Sequence, residues 1–136
     1  MTKRYTNIAN YNLNMVLDDV KHILDTKQFV DTDTRFKFEF ILEELLVNSF
    51  THLLTSTTKV DVMFELNYDI PKVSYCEVGV PELDFEQILK NGDSQIANPS
   101  LDNIGGLGIN LIKQLSSQFS YEYDKSAATR KFTILL

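Results

Sequence analysis

The sequence predicts an α+β fold, in which three helices cover one face of a mainly antiparallel, mixed sheet as a two-layer α/β sandwich. Two observations indicate this class. Segments with helical spacing occupy much of the first 54 residues, and short alternating segments joined by turns follow them. Helices first and then strand pairs joined by tight turns are typical of helices packed on one side of an antiparallel sheet.

Helices are predicted where apolar residues recur at i, i+3 and i+4 spacing. This spacing gives a first amphipathic helix over about 11–25. The polar run 31–34 offers several N-cap residues, and a second helix is expected from there to about Leu54. Residues 85–90 fit one short helix, and 109–119 has the spacing of a further amphipathic helix.

Strands are predicted where apolar and polar residues alternate. Residues 60–68 have this period of two, which is typical of a half-buried strand, and 73–78 are expected to pair with them across a turn at Pro71. Two closing strands are expected around 121–123 and 131–136. The chain has no internal repeat and no linker, so these elements belong to one domain.

Composition and charge narrow the class of protein. A chain of 136 residues fits a single domain over 1–136, and 43% hydrophobic with 24% charged residues is ordinary for a globular protein. The net charge of −6 argues against a nucleic-acid partner, which needs a clustered basic face. The single cysteine excludes an internal disulfide, and two distant histidines do not suit a Cys/His zinc site. Without an apolar run for a signal peptide or membrane span, we expect a cytoplasmic protein.

The second helix carries a polar stripe among aliphatic residues. Glu44, Asn48 and His52 are four residues apart, so at about 100° per residue they share one face. Burying unpaired polar groups in a core costs roughly 1–3 kcal/mol each, and a surface helix would not flank its polar stripe with aliphatic side chains. The pattern therefore indicates the floor of a ligand or metal site. The structural alternative is a surface Glu44, an Asn48 bonded to a neighbour, and a His52 that favours the helix dipole.

Two further segments contribute to this candidate site. The polar segment 91–106 is long for a loop inside a compact domain, and such loops are mostly functional or disordered. Three of the four residues in 105–108 are glycines, which let backbone N–H groups approach a phosphate before a helix. Glu77 and Gly79, at the end of a strand, suit a carboxylate that accepts hydrogen bonds from a base or ribose. Taken singly, both glycine-containing segments are also ordinary turns.

Together and in this order, these segments resemble the GHKL ATPase superfamily, the ATP-binding domain of gyrase-type topoisomerases, sensor histidine kinases and anti-sigma-factor kinases. Glu44–His52 resembles its N box, Glu77–Gly79 its G1 box, and Gly105–Ile109 its G2 box. The segment 91–106 corresponds to its ATP lid. The resemblance covers nearly the whole chain. The short length and the Asn-x-x-x-His ending of the N box favour the anti-sigma-factor serine kinases.

The resemblance implies a role for each residue. Asn48 would hold Mg²⁺ through its side-chain oxygen, the kind of ligand that this hard cation takes. Glu44 would be the general base for a partner serine hydroxyl or for a water. His52 would lie next to the phosphates or shape the site. Glu77 would contact the base, and Gly79 would allow the ligand to approach. Gly106 and Gly108 would wrap the phosphates of ATP, and Gly105 and Leu107 would belong to the same nucleotide-binding segment.

The implied function is an ATP-binding regulator that binds a sigma factor or similar target and phosphorylates a serine of a small antagonist protein. A homodimer is suggested by the resemblance alone. Two departures fall on the base-binding side, because the family's adenine-contacting Asp is Glu77 here and Pro81 replaces its second glycine. The alternative is a non-catalytic interaction module with a degenerate nucleotide pocket. A third reading, an ATPase in which water attacks, is not distinguished by the sequence.

Overall fold

The computed structural model describes residues 1–29, 31–53, 59–83 and 104–136. A 3₁₀ turn at Ile8–Asn10 precedes the first α-helix. None of the helices in these ranges combines the length and apolar character needed to cross a bilayer. In chain order, the described strands and α-helices are β1 (Thr2–Tyr5), α1 (Leu13–Asp25), α2 (Thr32–His52), β2 (Asp61–Asn67), β3 (Lys72–Val78), α3 (Ile104–Leu115), β4 (Gln118–Asp124) and β5 (Thr129–Leu135).

The strands form one five-stranded sheet in the order β1-β2-β3-β5-β4. Each neighbouring pair is antiparallel, so the α+β class and the mainly antiparallel sheet are confirmed, although no parallel pair occurs among the described strands. β3 is the central strand, paired with β2 on one side and β5 on the other. β1 was not expected from the sequence, because four mostly polar residues are too few to show an alternating pattern.

The helices cover one face of the sheet. On the opposite face the alternating strand residues are more exposed and mostly polar, as in an antiparallel sheet with one solvated side. α2 contacts β3 as well as both other helices, so it is the centre of the helical layer. The strand residues buried beneath the helices are Tyr5, Val62, Phe64, Leu66, Val73, Tyr75, Glu77, Arg130, Phe132 and Ile134.

α2 is the helix that positions the candidate site. It begins after Asp31, whose side chain accepts a hydrogen bond of 2.6 Å from the Thr34 N–H and so caps the helix. It ends at His52, two residues before the predicted end. The Tyr75 hydroxyl donates to the backbone carbonyl of Leu45 over 3.2 Å. This bond fixes the middle of α2 against the centre of the sheet.

α3 differs from the predicted helix at both ends. It begins five residues earlier than the predicted 109–119 and ends at Leu115, so that Phe119 belongs to β4. An apolar residue at 119 fits both helical spacing and strand alternation, and pairing with β5 decides between them. The predicted short helix at 85–90 and the part of the predicted lid at 91–103 lie outside the described residues.

Candidate functional site

The polar stripe of α2 begins beside α3 and ends in solvent. Glu44 and Asn48 are half-buried, whereas His52, the last residue of the helix, is exposed. Their four-residue spacing on a regular helix gives them a common face. The structure brings Glu44 against α3 at Gly108. The role of His52 next to phosphates stays a prediction.

Gly108 makes room for the carboxylate of Glu44. A Cβ added at Gly108 would collide with Glu44 Oε2, so a side chain at this position would displace the carboxylate. Gly108 is itself buried. The close approach of backbone and carboxylate requires a residue without a Cβ. Gly108 therefore leaves the space that the Glu44 carboxylate occupies.

The Glu44 carboxyl is a stronger base than an exposed glutamate. Burial raises its pKa above the usual range, and the neighbouring charge of Glu43 raises it further. General-base catalysis is most efficient when the pKa of the base lies near the operating pH. Glu44 is therefore suited to accept a proton from a hydroxyl group.

The glycines that the sequence places in a turn lie inside α3. Since α3 begins at Ile104, Gly105 and Gly106 occupy its first turn and Gly108 follows one turn later. Backbone N–H groups in the first turn of a helix have no carbonyl four residues back, and the helix dipole makes this end favourable to anions. Gly105 and Gly106 can offer N–H groups to a phosphate in this arrangement. Leu107 lies between them and Gly108 along the helical backbone.

Glu77 belongs to a buried network of polar side chains. It is 5% exposed, although it was predicted to contact a nucleotide base. Ser49 Oγ donates to its Oε2 over 2.6 Å, and Arg130 Nη1 donates to its Oε1 over 3.3 Å. The hydroxyls of Ser49 and Tyr75 lie 2.7 Å apart. Both carboxylate oxygens of Glu77 are therefore bonded to side chains of the chain itself.

Arg130 contacts both positions at which the sequence departs from the GHKL pattern. It lies directly opposite Glu77 in the pairing of β3 with β5 and is 7% exposed. Its Nε donates to the carbonyl oxygen of Pro81 over 2.6 Å, while its Nη1 bonds Glu77. Proline lacks an N–H group but keeps its carbonyl acceptor. One guanidinium group thus holds the end of β3 and the segment that follows it.

Backbone contacts fasten this segment further to the β4–β5 hairpin. The N–H groups of Gly79 and Val80 both donate to the carbonyl oxygen of Ala128, over 2.9 and 3.0 Å. The Tyr123 hydroxyl donates to the carbonyl oxygen of Val80 over 2.6 Å. The chain therefore leaves β3 along a fixed path.

Sequence reasoning missed Ser49, Tyr75 and Arg130. Strand alternation contained a signal, because Val73, Tyr75 and Glu77 occupy the same face of β3 and the first of them is apolar. A glutamate on a core-facing position needs hydrogen-bond partners or a cation. The alternation therefore predicts that Glu77 has a hydrogen-bond or ionic partner, but it does not show which residue that partner is.

Gly79 has a structural reason to be glycine. Its φ of 90° lies in the left-handed region, and an added Cβ would come 2.5 Å from the carbonyl oxygen of Lys59. Both observations explain the glycine through backbone conformation. Its predicted contact with a base stays a prediction.

Gly79→Ala is expected to lower the free energy of unfolding by about 1–3 kcal/mol. The alanine Cβ would strain the backbone at a positive φ and would clash with the Lys59 carbonyl oxygen. Urea unfolding measures the change. Ala128→Gly is the control in the same contact, since Ala128 has a φ of 48° and glycine relieves its strain. We expect little change or a gain in stability there. An unchanged stability of Gly79→Ala would contradict the conformational explanation.

A metal ion at this site would need ligands beyond the described residues. Within the ranges that the structure describes, no three His, Cys, Asp or Glu side chains are grouped to hold a metal. Mg²⁺ is commonly bound by one or two protein oxygens, with phosphates and waters completing its octahedron. The half-buried amide of Asn48 fits this second arrangement.

The sequence matches no protein-family model and no curated protein at a significant level. The basis for a functional proposal is therefore the geometry of Glu44, Asn48 and the glycines of α3, together with the Glu77–Arg130 pair.

Proposed function

We propose that this protein is a cytoplasmic ATP-binding regulator with a GHKL-type fold, which phosphorylates a serine of a small antagonist protein and sequesters a sigma factor or similar target. The observation that carries the proposal is the contact of Glu44 with Gly108. Through it, the two segments with the most specific family resemblance meet in space. A coincidental resemblance of two short segments would not require them to be neighbours.

In the proposed phosphoryl transfer, each group of the site has one task. Glu44 accepts the hydroxyl proton of the partner serine, whose oxygen then bonds the γ-phosphorus as the bond to the β-phosphate oxygen breaks and ADP leaves. The raised pKa of Glu44 supports this role. The amide oxygen of Asn48 would hold Mg²⁺, which neutralises phosphate charge when bound. The N–H groups of Gly105 and Gly106 would contact phosphate oxygens.

Binding of Mg-ATP tests the proposal, with Asn48→Ala as the decisive variant. Ligand at ~100 Kd should add ~2.7 kcal/mol to the stability of the parent protein, seen as a thermal shift. Asn48→Ala should remove the Mg²⁺-dependent part of this shift and leave the fold intact, because the residue is only half-buried. Asn14→Ala removes the same amide from an exposed position on α1 and should change nothing. Equal Mg-ATP binding by Asn48→Ala would exclude the metal assignment.

A second candidate is the non-catalytic interaction module. The observation that favours it is the pairing of Glu77 with Arg130, which takes both carboxylate oxygens together with Ser49. In such a module the fold would serve only to present a protein-binding surface. Failure of Mg-ATP and Mg-GTP to stabilise the parent protein, at concentrations up to the millimolar range, would favour this module over the kinase.

A further inference from the structure

Both carboxylate oxygens of Glu77 are engaged by groups of the chain itself. Ser49, which is fully buried, bonds one carboxylate oxygen, and Arg130 bonds the other. Each carboxylate oxygen can accept more than one hydrogen bond, so access limits a ligand here, because Glu77 is only 5% exposed and the Arg130 guanidinium lies against Oε1. The longer of the two bonds, at 3.3 Å, is the one to Arg130.

Arg130 is held in place from two directions. Its Nε bonds the Pro81 carbonyl oxygen over 2.6 Å, and the β3–β5 register aligns its backbone with that of Glu77. Removing the guanidinium from Glu77 would leave a buried carboxylate without its cation, which is unfavourable at such low exposure. The pair therefore resists displacement by a neutral amino group.

We propose that Arg130 is a specificity-determining residue: it occupies the Glu77 carboxylate, so the protein does not select adenine through that carboxylate. This inference rests on the proposed nucleotide site. Nucleotides are then held mainly through their phosphates, and Mg-ATP and Mg-GTP bind with similar affinity. Arg130 itself acts through Glu77 and has no role in phosphoryl transfer.

Removing the guanidinium of Arg130 should give the protein a preference for ATP over GTP. In Arg130→Met, the guanidinium no longer lies against Oε1 of Glu77, so this oxygen can accept the exocyclic N–H of adenine. Guanine presents a carbonyl at that position, which a carboxylate disfavours. A hydrogen bond to a charged group corresponds to a preference for ATP over GTP of roughly 10- to 100-fold.

Calorimetric titration of four proteins with Mg-ATP and Mg-GTP is the test. The proteins are the parent, Arg130→Met, the double variant Glu77→Met/Arg130→Met, and Lys131→Met. Lys131 is the matched control, because it follows Arg130 on β5 but is exposed on the opposite face. The readout is the ratio of the affinities for Mg-ATP and Mg-GTP, because a general loss of stability weakens the binding of both nucleotides alike.

The expected result is an ATP/GTP affinity ratio near one in the parent, the double variant and Lys131→Met, with preference for ATP in Arg130→Met alone. If Arg130→Met does not fold, the parent and the double variant still test the inference. The double variant should fold, because it has no buried charge without a partner, and its ATP/GTP affinity ratio can then be compared with that of the parent. A parent that prefers ATP, with the preference lost in the double variant, would overturn the inference and leave the proposed function standing. So would an Arg130→Met ratio equal to that of the parent. Absence of binding in all four proteins would overturn the proposed function as well.

Discussion

Glu44→Gln is expected to lower phosphoryl transfer by roughly 10²–10⁴-fold while leaving nucleotide binding unchanged. Glutamine has the size and shape of glutamate, so it still fits the space against Gly108. It has no basic oxygen to accept the serine proton, and only the chemical step should suffer. Single-turnover transfer from labelled ATP to the cognate antagonist protein measures the effect, and calorimetry with Mg-ATP measures binding.

Glu43→Gln is the matched control for this prediction. Glu43 is the neighbouring carboxyl and also has a raised pKa, first through burial and then through Glu39, but at about 100° per residue it lies on a different side of α2 from Glu44. Its removal should leave transfer within a few-fold of the parent. Since the base acts in its deprotonated form, transfer should fall as the pH decreases through the pKa of Glu44. Burial places this decrease at a higher pH than for an exposed glutamate. Unchanged transfer in Glu44→Gln would leave that residue with a structural role only.

The elements with strong local signals could be predicted from the sequence. α2 has a capping Asp31 and a long apolar face, and β2 and β3 alternate regularly around Pro71. β1 has no such signal, because its four residues form a strand only through pairing with β2. The start of α3 was misplaced because the three glycines within 105–108 favour a turn on local grounds. In the folded chain these residues belong to the first part of α3, the helix that packs against α2.

The candidate site also contains residues that could be predicted from the sequence and residues that could not. The shared face of Glu44 and Asn48 follows from helical spacing alone. The partner of Glu77 does not, because Arg130 lies 53 residues further along the chain and reaches it only through the register of β3 with β5. Register depends on the whole sheet, so no local pattern identifies which cation faces Glu77. The departures at Glu77 and Pro81 were visible in the sequence, but their common contact was not.

Arg130→Met is expected to lower the free energy of unfolding by about 3–5 kcal/mol, the effect of leaving one member of a buried ion pair without its partner. Both members are well buried, and the guanidinium also bonds Pro81. The double variant Glu77→Met/Arg130→Met should recover most of this loss, since apolar side chains of similar size often replace a buried pair without cost. Ser49 keeps the Tyr75 hydroxyl as a partner in that variant. Urea unfolding of the parent, the two single variants Arg130→Met and Glu77→Met, and the double variant measures the free energies.

The double-mutant cycle separates a true pair from two independent residues. Coupled residues give a double variant that is more stable than the sum of the single changes predicts, by an amount well above the ~0.5 kcal/mol seen for independent sites. Lys131→Met removes a charge from the exposed face of β5 and should stay within about 0.5 kcal/mol of the parent. Additive losses from Glu77→Met and Arg130→Met would mean that the 3.3 Å contact contributes little. Arg130 would then not be what keeps a base from the Glu77 carboxylate, and the ATP/GTP affinity ratio of the parent protein tests this separately.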